Sequence, residues 1–128
     1  MRLLRDTHTF LWTVKNLDRL SAGARAAIAD GGNEKLLSIA SLWEIAIKVS
    51  LGRLELEVPL HQLLTDVVQQ FTIDVLPMKP KHLVLVASLP FHHRDPFDRL
   101  LIAQCLSEGI SIVSNDAAAD AYGVKRIW

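Results

Sequence analysis

Eight consecutive residues, His92-His93-Arg94-Asp95-Pro96-Phe97-Asp98-Arg99, carry two imidazoles, two guanidiniums and two carboxylates. They run into Leu100-Leu101-Ile102-Ala103-Gln104, which reads as helix. Pro96 suits the first helical position and Asp95 the N-cap before it, so Asp98 falls at the third. At about 100° per residue, Asp98 shares a stripe with Leu101, Ile102, Cys105 and Leu106, while Gln104, Ser107 and Glu108 fall on the other side. A carboxylate heading a core-facing stripe is expensive to bury uncompensated. Two accounts are open: a local one, by the helix dipole and free N–H groups, and one by partners from elsewhere in the chain.

Three further acids are candidates for that company. Asp6 closes the short apolar run Arg2-Leu3-Leu4-Arg5. Glu44 lies in Ser41-Leu42-Trp43-Glu44, which has the pattern of a capping box with Ser41 as the cap. Lys48 follows Glu44 at the spacing of a helical ion pair. Asp116 follows Ile110-Ser111-Ile112-Val113 and Ser114-Asn115. In an open parallel sheet, strand carboxyl ends and the starts of the following helices share one edge. Asp6, Glu44 and Asp116 fall on that edge by topology, and Asp98 joins them if its helix packs in the ordinary sense.

Crowded carboxylates repel, and some take up protons. A hard divalent cation removes that cost, and an all-oxygen set suits magnesium or manganese and not zinc. Such an ion activates water and stabilises charge on a phosphate under attack. The chain has no Gly-rich phosphate loop and no Ser-His-Asp or Cys-His spacing. The chemistry that fits is metal-assisted phosphodiester hydrolysis.

The elements that must position these groups alternate. Strands are expected at Arg2–Arg5, Leu36–Ile39, Thr72–Leu76, Ile110–Val113 and Val124–Ile127. Helices are expected at Ala22–Ala29 behind the cap Ser21, from Ser41 to about Leu51, and over Leu60–Val68, where apolar residues recur at 60, 63, 64, 67, 68 and 71. Lys81–Ser88 and Ala117–Tyr122 read as shorter helical pieces, and Thr7-His8-Thr9 as the start of a turn or short helix. Gly52 and Gly109 close helices, and Asp30-Gly31-Gly32-Asn33 is a turn. The pattern is α/β with a mostly parallel sheet. Arg5 is awkward in a strand buried on both faces, and is expected to snorkel or to point toward the carboxylates.

With 128 residues, 50% hydrophobic and 22% charged, the chain suits one domain spanning 1–128 with a real core. Fourteen basic residues balance fourteen acidic ones, so no global field holds long nucleic acid. Cys105 is the only cysteine, which rules out an internal disulfide and fits a reducing compartment. No signal peptide or membrane span is read, and the expected location is the cytoplasm.

The segments Leu4–Trp12, Ser41–Lys48, His92–Gln104 and Ser114-Asn115-Asp116, in this order and spacing, resemble the PIN domain. Within it, the chain is similar to VapC-type toxins of bacterial toxin–antitoxin pairs, to the closing Tyr122–Trp128. The resemblance implies a PIN-like three-layer α/β/α fold and a magnesium- or manganese-dependent ribonuclease leaving a 5′-phosphate and a 3′-hydroxyl. It implies an acidic set of Asp6, Glu44, Asp98 and Asp116, a VapB-like antitoxin partner and a homodimer. Asp98 is preferred to Asp95 as the third acid because it continues into the Leu-Leu-Ile-Ala helix. Asp6, Asp98 and Asp116 would hold the metal, and Glu44 would complete the site and orient water.

Thr7 and Ser114 are placed to hydrogen-bond the acids or the phosphate. Lys48, His92, His93, Arg94 and Arg99 are candidate RNA contacts, with loop or supporting roles favoured over metal ligation for the two histidines. Asp95 is read as a cap that touches the site, and Trp12, Trp43 and Tyr122 as core. Alternatives are a nuclease acting on DNA or structured nucleic acid, a phosphate-receiver domain, and a non-catalytic binding module. A receiver wants its phosphoacceptor at the end of the middle strand, but here that strand ends Val75-Leu76-Pro77.

Overall fold

The computed structural model describes all 128 residues. Strands β1 (Arg2–Arg5), β2 (Glu34–Ser38), β3 (Asp74–Leu76), β4 (Ser111–Val113) and β5 (Arg126–Ile127) form one sheet, parallel throughout, in the order β3-β2-β1-β4-β5. Helices are α1 (Thr7–Lys15), α2 (Ala22–Ala29), α3 (Ile39–Ser50), α4 (Leu60–Gln62), α5 (Val68–Gln70), α6 (Pro80–Ser88) and α7 (Pro96–Glu108). A π-helical turn, Leu63–Val67, joins α4 to α5, and 3-10 turns cover Leu17–Arg19 and Ala117–Tyr122. The chain leaves β1 toward β2 and β3, then returns to place β4 on the other side of β1. That reversal is where open α/β sheets form their crevice.

Alternation along the strands divides the core. Leu4, Leu36 and Ile112 pack with Leu101, Ile102 and Cys105 of α7, with Leu85 and Val86 of α6 against them. Their chain neighbours point the other way. Leu37 joins Phe10 and Ile45, and Leu3 and Val113 join Leu20 and Ala24. Adjacent residues thus feed opposite layers, as a sheet covered on both faces requires. The wide π turn brings Leu63 and Val68, five residues apart, onto the same cluster.

Two local readings are corrected. The cap of α3 is Ser38, whose hydroxyl accepts from the Ala40 N–H at 3.0 Å, so the helix starts directly at the end of β2. Ser41 lies inside the helix and is free for another partner. In α7, Gln104 is fully buried and its amide donates to the Pro77 carbonyl at 3.3 Å. Every residue from Arg99 to Cys105 is buried, so this helix has no wet side over that stretch.

Arg5 does neither thing expected of it. It is 1% exposed, and its Nε and Nη1 have no hydrogen-bond partner. It makes no ion pair with the acids, and burial pushes its pKa down to about 10. Its register partners are Leu37 and Val113, whose side chains lie in apolar clusters. An unpaired buried cation opposes folding, and apolar replacement at such positions commonly stabilises by about 1–4 kcal/mol. Arg5→Met should therefore raise the urea midpoint with the slope unchanged. A lower midpoint would show that the guanidinium has a compensating partner.

Candidate metal and phosphodiester site

Five groups meet at the sheet reversal because local structure puts each there. Asp6 follows β1 and caps α1, its Oδ1 accepting from the Thr9 N–H at 2.8 Å. Ser114 follows β4, beside Asp6 by register, and its hydroxyl donates to Asp6 Oδ2. The same Ser114 oxygen accepts from the Asp116 N–H at 3.0 Å. Asp116 caps the 3-10 turn after β4, with Oδ1 accepting from the Ala118 N–H at 2.9 Å. Asp98 stands in the first turn of α7, whose cap is Asp95, bonded to the N–H groups of Phe97 and Asp98. A cap of this kind contributes about 1 kcal/mol.

Asp6, Asp98, Asp116, Ser114 and His93 line one small crevice floored by Ile102 and Ile112. His93 Nε2 lies 2.7 Å from Asp116 Oδ2 and 3.2 Å from Asp98 Oδ2. Ligand atoms of these three residues all fall within 4.8 Å of one another. Glu44 is placed differently. It is buried in α3, with Lys48 donating to Oε2 at 2.7 Å and the Thr7 hydroxyl to Oε1 at 2.7 Å. Thr7 Oγ1 also lies 3.0 Å from Ser41 Oγ. Having one proton, Thr7 gives it to Glu44 and accepts from Ser41. Glu44 therefore flanks the crevice and acts on it through its charge.

The electrostatics separate the acids. Asp98 is raised from 3.8 to about 7, chiefly by burial, then by the charges of Asp95, Asp6 and Glu44, against a lowering from His93. Asp116 moves the other way. Burial opposes its ionisation, but hydrogen bonds from Ala118 and His93 and the positive charge of Arg126 outweigh that. The three carboxylates offer hard oxygen, and Asp98, the acid with fewest hydrogen-bond donors, is the one whose charge is least compensated. This is what a divalent oxygen-seeking cation would neutralise. Asp6, Asp98 and Asp116 are the residues that would hold it.

Other candidates fall in three groups. His92 is exposed and stacks edge-on to Tyr122 at 5.0 Å, and Arg94 is exposed. Lys48 is committed to Glu44. Arg99 is no phosphate contact. It is 5% exposed and donates to the carbonyls of Val86, Leu89 and Pro90 at 2.9–3.1 Å, with Phe91 over its guanidinium. These carbonyls lie in and just past the last turn of α6, where helices leave acceptors orphaned.

Thr9, Ser41 and Tyr122 also support the site, beyond what the sequence pattern predicts, and Trp43 is 57% exposed instead of core, edge-on to Phe97 at 5.4 Å. Thr9 was findable, three residues after a capping Asp. Ser41 and Tyr122 act across 34 and 29 residues, with no local signal.

Asp98 gives the site a pH signature. Its folded pKa exceeds its unfolded value, so the native state binds the proton more tightly, and metal-free stability falls as pH rises from about 4 to about 7. Asp98→Asn removes that loss. Without metal, its melting temperature should exceed the parent's at pH 8 and converge with it near pH 4. A constant difference across that range would show that Asp98 ionises normally.

The PIN domain family model matches residues 3–125. Among solved structures, the chain is similar to VapBC2 from Rickettsia felis bound to a DNA fragment from its promoter, with 10% identity over 98% of this chain and 97% of that one and a TM-score of 0.71. It is also similar to VapBC-1 from nontypeable Haemophilus influenzae, with 14% identity, 98% and 96% coverage and a TM-score of 0.67. FitAcB from Neisseria gonorrhoeae gives 17% identity, 97% and 95% coverage and a TM-score of 0.64. At these identities the likeness is one of fold. No curated protein sequence matches the chain. With a family match over nearly its whole length and three carboxylates gathered at the reversal of a parallel sheet, the chain belongs to the PIN domain family.

Proposed function

We propose that this chain is a magnesium- or manganese-dependent endoribonuclease and the toxin of a toxin–antitoxin pair. The observation that carries the reading is the convergence of Asp6, Asp98 and Asp116 in one crevice, with Asp98 the least compensated. A bound divalent cation supplies Lewis acidity toward a phosphate and lowers the pKa of water. The protein's own groups do the rest. Ser114 and the Thr9 N–H fix Asp6 in one rotamer, and Asp116 is fixed by Ala118. Thr7 and Lys48 hold the Glu44 carboxylate pointed beside the crevice, where it biases the approach of water. Attack by water at phosphorus with breakage of the P–O3′ bond, the 3′-oxygen leaving and taking up a proton, gives a 5′-phosphate and a 3′-hydroxyl. Arg94, exposed in the loop that leads into α7, is our candidate contact for flanking phosphates.

The solved neighbours include VapBC complexes, which supports a VapB-like antitoxin as partner. A mostly apolar cleft of about 440 Å³, lined by Leu11, Val14, Leu54, Leu56 and Leu63, reaches Lys48 and has room for a few apolar side chains of such a partner. On α3 and at its C-cap, Ile39, Trp43 and Leu51 are exposed at four- and eight-residue spacing, which supports a homodimer. No helix is long and apolar enough to cross a membrane.

The test is cleavage of a mixed cellular RNA pool by the protein freed of partners, with EDTA and Asp98→Asn as controls and a single-stranded DNA arm. Metal-dependent RNA cleavage should vanish in the variant, a drop of at least about 100-fold, the scale of one essential electrostatic group. Cleavage of DNA alone would reassign the substrate. Folded protein that neither cleaves nor binds metal would leave the acids as caps.

A further inference from the structure

His93 is held from three directions. Its backbone N–H donates to the Tyr122 hydroxyl at 2.9 Å, and Tyr122 in turn donates to the Pro90 carbonyl at 2.6 Å. The Arg99 guanidinium pins the Leu89 and Pro90 carbonyls at the start of the same loop. In the ring, Nδ1 accepts from the Asp95 N–H at 3.0 Å. A backbone N–H cannot share that line with a second proton, so Nδ1 keeps its lone pair and the ring proton sits on Nε2. Nε2 is the atom 2.7 Å from Asp116 and 3.2 Å from Asp98. It therefore donates to Asp116, with Asp98 lying beside the same nitrogen. Acting as a metal ligand there would need the proton on Nδ1, against the Asp95 N–H.

We infer that His93 is the internal stand-in for the cation: its Nε2–H binds Asp116 beside Asp98 in the metal-free protein and gives way to the metal without becoming a ligand. This rests on the metal-dependent reading above and adds a positioning residue to it. The alternative role, a nitrogen ligand, would make a mixed site tilted toward transition metals. The two roles predict opposite signs. A competitor's removal tightens metal binding, whereas a ligand's removal weakens it.

The experiment uses the full chain labelled with 15N-histidine. Long-range proton–nitrogen spectra are recorded without metal and with magnesium, and His93 is assigned by its loss in His93→Gln. Expected is the neutral Nε2–H tautomer in both states, with its Nε2–H resonance moved by magnesium. A proton on Nδ1 in either state, or Nε2 shifted to a ligating nitrogen, overturns the inference. Manganese titrations by calorimetry give the second arm. His93→Ala should bind manganese several-fold more tightly than the parent, with a larger metal-induced rise in melting temperature. His93→Gln, whose amide still donates, should stay near the parent. Weaker binding by His93→Ala overturns the inference while leaving the metal reading intact. No ion effect on any spectrum or melt would sink both.

Discussion

The parallel register of β1 against β4 is the constraint on which the rest depends. It sets Arg5 opposite Val113, and so brings the next residues, Asp6 and Ser114, together at the sheet's carboxyl edge. Ser114 then joins Asp6 to the Asp116 backbone with one oxygen. A slip of one residue would turn every side chain of β4 to the other face and separate the two acids. Leu4 and Ile112 lock the register from the α7 face, and Leu3 and Val113 from the other. The apolar layers thus act as the ruler for the polar site.

The site's other wall depends on a second cation, used structurally. Arg99 saturates carbonyls in and just past the last turn of α6, and so shapes the loop that carries His93 into the crevice. Like-charged acids are gathered at an energetic disadvantage, and that disadvantage is held in place by packing beneath it. Stability given up at a reaction centre and recovered in the core is the usual trade in enzymes.

Much of this was legible in the sequence because it is local. Asp95-Pro96 announces the start of α7, Ser21 that of α2, and Gly109 the end of α7, in φ +66°. The parallel sheet and the edge shared by Asp6 and Asp116 follow from strand–helix alternation, whereas the strand order does not. What was not legible depends on distance or on ambiguity. Ser38 and Ser41 are both plausible caps in Ser-Ile-Ala-Ser, and only the length of β2 decides between them. Arg99 and Gln104 look like surface residues until α6 and the Pro77 turn close over them. Trp43 looks like core because tryptophan usually is, yet α3 turns it outward. Arg5 has a side chain at odds with its strand, and sequence alone offered it a partner that the fold does not provide.

Asp6 and Asp116 each hold a backbone N–H at a helix start with one oxygen and face the crevice with the other. The same atoms that would serve chemistry also initiate structure. Asparagine and serine cap nearly as well as aspartate, and alanine does not. The paths open to descendants of this chain are therefore narrow. A lineage that abandons catalysis but retains the fold drifts toward Asn or Ser at these two positions, while Ala or Val there records the decay of the whole domain. Inactive relatives are to be recognised by which polar residue replaced the acid, more than by the loss of the acid itself.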